Sequence, residues 1–101
     1  MIEYDLRKQG SERTTTSIVT PVSSSTTPVL LSAKNICRLE CLILNNSNKK
    51  LYVKLGAGIT LTNYTAVLKN GDTLIIDNKY RGDIYGLWDG INGNALITEI
   101  I

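Results

Sequence analysis

The stretch Lys50 to Leu55, "KLYVKL", decides the fold class. Leu51, Val53 and Leu55 fall on one side of an extended chain, and Tyr52 and Lys54 on the other. That period of two belongs to a half-buried β-strand and to no helix. The pattern returns in "NYTAVLK", where Tyr64, Ala66 and Leu68 alternate with Thr65, Val67 and Lys69.

Working outward, short apolar runs separated by turn residues predict strands near 18–22, 28–33, 37–45, 50–55, 63–69, 73–77, 83–88 and 95–100. The separators have specific chemistry. "NNSNK" after residue 44 reads as a hairpin loop. "NGD" at 70–72 places Gly71 where a tight turn asks for positive φ, and "DGINGN" at 89–94 does the same with Gly93, closing a final hairpin. Such strands, spaced about 8–12 residues apart without helical periodicity, predict an all-β domain: an antiparallel β-sandwich of jelly-roll type or a small barrel. A chain of 101 residues forms one core. With no Phe and a single Trp, that core is aliphatic around Trp88.

Residues 1–17 differ from the domain at 18–101. Glu3, Asp5, Arg7, Lys8, Glu12 and Arg13 alternate with few apolar residues, so the segment reads as an extended arm. Ile2, Tyr4 and Leu6 alternate as one face of a strand added to a partner would, which makes them the candidate partner-binding residues.

Several chemistries lack their residues. There is no histidine, no Ser-x-x-Lys and no Gly-x-Ser-x-Gly, so no nucleophile has a base, and an enzyme is not expected. Asp72 and Asp89 are accounted for by turn dipeptides. "DGINGN" lacks the alternating acids and closing Glu of a calcium loop. Cys37 and Cys41 in "CRLEC" fall on one strand face about 13 Å apart, too far for a disulfide that spans at most about 7 Å between Cα atoms. Without further ligands they cannot build a zinc site, and they read as buried small hydrophobes. Lys49, Lys50 and Lys54 lack the interleaved aromatics of a nucleic-acid platform, and the net charge is only +2. No apolar run is long enough to span a membrane. Neither nucleic acid, membrane, metal nor cofactor is expected as a partner.

"YRGDIYGLWDGINGNA", residues 80–95, contains Arg81-Gly82-Asp83, the tripeptide of adhesion loops. Asp83 leads directly into the apolar run "IYGLW", so the stretch reads as a turn, a core strand carrying Trp88 and a closing turn. Gly82 and Gly86 serve close backbone approach or a bulge.

Asn45-Asn46-Ser47, Leu51 to Gly56, Tyr64-Thr65, Gly71, then Tyr80, Gly82, Ile84, Gly86, Leu87 and Trp88, Asn92-Gly93 and Thr98-Glu99 form an ordered set. In that order they resemble a small β-rich module recurrent among tailed-bacteriophage virion proteins. The Lys-, Asn- and Ile-rich composition matches an AT-rich genome, as in crAss-like phages. The resemblance implies a virion component, and the expectation is an auxiliary or decoration protein of the capsid. Such a protein would dock on shell, head-fibre or tail subunits and could form a homo-oligomer. The alternative is a receptor- or glycan-binding module of a tail or fibre tip, using Tyr52, Tyr85 or Trp88 to stack on sugars.

Overall fold

The structure, a computed structural model, describes residues 15–101. The predicted arm residues Ile2, Tyr4 and Leu6 lie outside the described residues.

Eight strands form: β1 (Ser17–Ser23), β2 (Val29–Ser32), β3 (Glu40–Asn46), β4 (Leu51–Leu55), β5 (Ala66–Leu68), β6 (Thr73–Asp77), β7 (Ile84–Trp88) and β8 (Asn94–Ile100). They build two four-stranded sheets, ordered β1-β8-β3-β6 and β2-β7-β4-β5, with every pairing antiparallel. The first strand pairs with the last, the second with the seventh, the third with the sixth and the fourth with the fifth. This nesting is a long hairpin rolled up on itself, the jelly-roll arrangement. The domain is therefore a β-sandwich.

The alternation read from the sequence supplies the core. Cys41, Ile43 and Asn45 of β3 point inward, as do Leu51 and Val53 of β4 and Ala95 and Ile97 of β8. Trp88 is 1% exposed and fills the space between the sheets, as expected for the one large aromatic in a Phe-free chain. Gly86 leaves room for its neighbour in the same sheet: a Cβ there would meet the Leu31 side chain at 2.8 Å. Leu31 sits at the irregularity in the β2–β7 pairing between Leu30 and Ser32, so the bulge and the glycine form one packing device.

Three expectations need correction. "NNSNK" and "DGINGN" are not hairpin loops: β3 and β4 lie in different sheets, as do β7 and β8. Both segments carry the chain across the sandwich. Gly71 (φ 85°) and Gly93 (φ 61°) do hold the expected positive φ, and a Cβ on Gly93 would run into the carbonyl oxygen of Asn46. Second, β3 starts at Glu40 rather than 37, because Asn35 folds the preceding residues into a turn. Its Oδ1 accepts from the Cys37 N–H at 2.9 Å and its carbonyl from the Arg38 N–H at 3.1 Å. Cys37 is consequently exposed and not a core residue, whereas Cys41 is buried, and both thiols are free. Third, β5 is only Ala66–Leu68. Residues 60–63 close a small bridge of their own, which leaves Tyr64 outside the strand.

Candidate docking surfaces

The two buried polar clusters are occupied by the fold. Arg38 is fully buried. Its Nε donates to Glu99 at 2.7 Å, and Nη1 to the carbonyls of Gly82 at 3.0 Å and Tyr80 at 3.4 Å. Nη2 donates to the Ala33 carbonyl at 2.7 Å and to Ser32 Oγ at 3.1 Å. One guanidinium thus ties β8 to the β2–β3 and β6–β7 connections, and its charge is answered as burial demands. Burial pushes the nearby Cys41 thiol above its ordinary value near 9.0, with Arg38 opposing the shift. Asn45 does the same work at the other end of β3. Its Nδ2 donates to the carbonyls of Lys49 at 2.7 Å and Leu68 at 2.8 Å, and its Oδ1 accepts from Ser47 Oγ at 2.8 Å and Trp88 Nε1 at 3.4 Å.

The Arg-Gly-Asp tripeptide is held by the same scaffold. Arg81 Nε donates to the Arg38 carbonyl at 3.0 Å, and Asp83 Oδ1 accepts from the Lys34 N–H at 2.7 Å. The Asp83 carbonyl accepts from Tyr80 Oη at 2.6 Å and from the Gly56 N–H at 2.9 Å. Gly82 is needed because a Cβ would press on the Tyr80 phenol at 2.7 Å. Arg81 is exposed but anchored through Nε, and Asp83 is half-buried and accepts through Oδ1. The segment is a β6–β7 connection and not a presented loop tip.

Three surfaces remain available to partners. The first is the outer face of β1-β8-β3-β6. Registers place Pro21, Leu96, Leu44 and Thr73 in one row across the sheet, and Val19, Thr98, Leu42 and Ile75 in the next. Neither row carries a charge. Val19 is 58% and Ile75 60% exposed, and Leu42, Leu44 and Leu96 are half-buried. With a strand spacing of about 4.8 Å and a rise of about 3.3 Å per residue, four strands and two rows make a field of roughly 19 by 13 Å. A patch of a few hundred Å² is the size of surface that soluble monomers often put to functional use.

The second is the outer face of the other sheet. Tyr52 stands beside Val67 of β5 on one side and Leu87 of β7 on the other, and Tyr85 lies between Leu30 and Lys54. Tyr64 packs edge-on to Tyr52 with ring centroids 4.9 Å apart.

The third is a cleft of about 310 Å³ where the two sheets part beside β6. Leu55, Leu74, Ile76 and Tyr80 give it an apolar wall, and Lys79 stands at its rim. Tyr52 and Tyr85 of the second surface were named from the sequence as candidate stacking residues, whereas the apolar field and the cleft were not. Their residues look like ordinary members of alternating strands until register aligns them.

Among the described residues, no three His, Cys, Asp or Glu side chains gather as a metal site would require. Comparison with protein-family models, curated proteins and solved structures returns no match.

Proposed function

We propose that this chain is a non-enzymatic structural protein of a tailed-phage particle. In this reading it is an auxiliary or decoration protein of the capsid that docks on shell or head-fibre subunits. The observation that carries the proposal is the pair of charge-free rows, Pro21-Leu96-Leu44-Thr73 and Val19-Thr98-Leu42-Ile75, on the outer face of β1-β8-β3-β6, a four-stranded surface suited to burial against another protein. Two further features support it. The ordered residue set from Asn45 to Glu99 resembles a phage virion module, and the jelly roll is a fold used repeatedly in capsid proteins, though also in lectins.

The mechanism is adhesive. Leu42, Leu44 and Leu96 would leave water on docking, contributing through apolar area at about 25 cal/mol per Å² before the costs of association. Particles purified from infected cells should contain the protein in fixed proportion to the major shell subunit. Leu42→Glu should abolish incorporation while lowering thermal stability only modestly, since the side chain is half-buried on the outer face. Absence of the wild-type chain from purified particles would reject the reading.

A second reading has its own observation, the tyrosines on the opposite face. Tyr52, Tyr64 and Tyr85 offer flat rings to a sugar, whereas Trp88 is buried and drops out of that set. A glycan-binding module at a fibre tip would show carbohydrate binding that Tyr52→Ala and Tyr85→Ala each weaken.

A further inference from the structure

From the free edge of β6 and the cleft beside it, we infer an acceptor site for the Ile2–Leu6 segment of a second copy of this chain, added to the sheet as an antiparallel strand. Backbone parity identifies the edge. The Asn45 N–H donates to the Asp72 carbonyl at 3.0 Å, so in register Ile43 with Leu74 and Cys41 with Ile76 are the hydrogen-bonded pairs of β3 and β6. The backbone groups of Thr73 and Ile75 therefore point away from β3. Outside the β3 ladder, no backbone hydrogen bond among the described residues involves either of them. A strand edge with open donors and acceptors is a template for another strand.

The opposite edge of the same sheet is blunted. Thr16 and Ile101 exchange both backbone hydrogen bonds at 2.9 Å, so in β1 the residues facing outward are Ser17, Val19, Pro21 and Ser23. Pro21 has no N–H, and it interrupts that edge at its centre. β6 carries no such block.

The cleft supplies side-chain selectivity. A strand paired to β6 would send every second residue inward, opposite Leu74 and Ile76 and toward Leu55 and Tyr80. Ile2, Tyr4 and Leu6 have that spacing, and Glu3 and Asp5 would then face solvent. The four steps from residue 2 to residue 6 match the length of the Thr73–Asp77 edge.

Direction favours a second copy. The row Ser17, Ile100, Glu40, Asp77 shows that the chain enters β1 at the sheet end that holds Asp77. By the shortest path, a segment from the same chain would run along β6 in the parallel sense. All strand pairs in this domain are antiparallel, the slightly stronger arrangement. Residues 7–16 can span about 33 Å, enough to bridge to a neighbouring domain.

The inference rests on the alternation of Ile2, Tyr4 and Leu6 as a strand-adding face, and not on the particle. Self-association is measured on the pure chain and incorporation on phage, so either can fail alone. The test uses the full chain in sedimentation experiments over a concentration series. Ile75→Pro removes a donor that faces away from β3 together with one exposed aliphatic side chain, and Val19→Pro makes the same change on the β1 edge. Wild type and Val19→Pro should associate equally, while Ile75→Pro and Tyr4→Asp should associate at least about tenfold more weakly, a loss of about 1.4 kcal/mol. Tyr4→Asp lies outside the described residues and keeps the test decisive if Ile75→Pro fails to fold. A monomeric wild type, association untouched by Tyr4→Asp, or an equal loss in Val19→Pro and a folded Ile75→Pro would each overturn the inference.

Discussion

Replacing Arg38 by Met tests the central claim about how this domain is held together. Methionine keeps an unbranched apolar stem that can pack in the same channel, so the change removes donors and charge more than volume. The carbonyls of Ala33 and Gly82 lose their partners, as does Ser32 Oγ, and the Glu99 carboxylate loses its counter-charge. Removing one member of a buried ion pair costs about 3–5 kcal/mol. The Glu99 side chain is 22% exposed and can partly rehydrate, which argues for the lower end, about 3 kcal/mol. Against a total of about 5–15 kcal/mol, that is a large fraction. At about 4–8 °C per kcal/mol, it should lower Tm by at least about 12 °C. Urea unfolding followed by Trp88 fluorescence measures the loss, because the only tryptophan is buried in the native state. Glu99→Gln keeps an oxygen acceptor and removes only the charge, so the double variant should lose less than the sum of the singles by about 1–2 kcal/mol. In the same variant, trypsin should cleave after Arg81 faster, since its segment loses the Gly82 anchor. A loss below about 1 kcal/mol for Arg38→Met, or strict additivity with Glu99→Gln, would refute the reasoning.

Gly86→Ala should destabilise by about 1–3 kcal/mol through overpacking against Leu31, and Leu31→Val should relieve part of that loss in the double variant, both read by urea titration. Gly93→Ala should be worse, since the new methyl meets a backbone carbonyl that cannot rotate away and the φ of 61° disfavours it; loss of soluble expression is the expected readout. A chromogenic disulfide reagent should titrate Cys37 rapidly in the native protein and Cys41 only on unfolding. Because burial raises the Cys41 thiol, the folded state holds its proton where the unfolded state has released it. That contribution to stability is therefore intact below about pH 9 and falls as pH rises further. Cys41→Ala should flatten the alkaline side of the stability profile.

The strands were legible and their connections were not, for a physical reason. Alternation in "KLYVKL" reports that one face is buried, and every strand with that signature formed where expected, within a few residues. A turn dipeptide such as Asn92-Gly93 reports only that the chain needs positive φ there. It does not say which sheet the next strand joins, and in a jelly roll all consecutive strands but β4 and β5 separate. Arg38 was invisible for a related reason. In "CRLEC" it looks like an exposed residue between hydrophobes, and the carbonyls that make its burial tolerable come from Ala33, Tyr80 and Gly82.

The Arg-Gly-Asp tripeptide shows the same dependence on partners far away in sequence. As letters it suggests adhesion. In the fold its arginine donates to the Arg38 carbonyl, its glycine carbonyl receives the Arg38 guanidinium, and its aspartate receives the Lys34 N–H. A receptor that read this tripeptide would have to break those contacts first, and the Arg38 cluster is what they anchor. The surfaces open to partners lie elsewhere: on the apolar face through Leu42, on the tyrosine face through Tyr52, and along the edge of β6. Docking on those surfaces leaves both buried networks intact, so the rigid body and its adhesive faces can be altered independently by substitution.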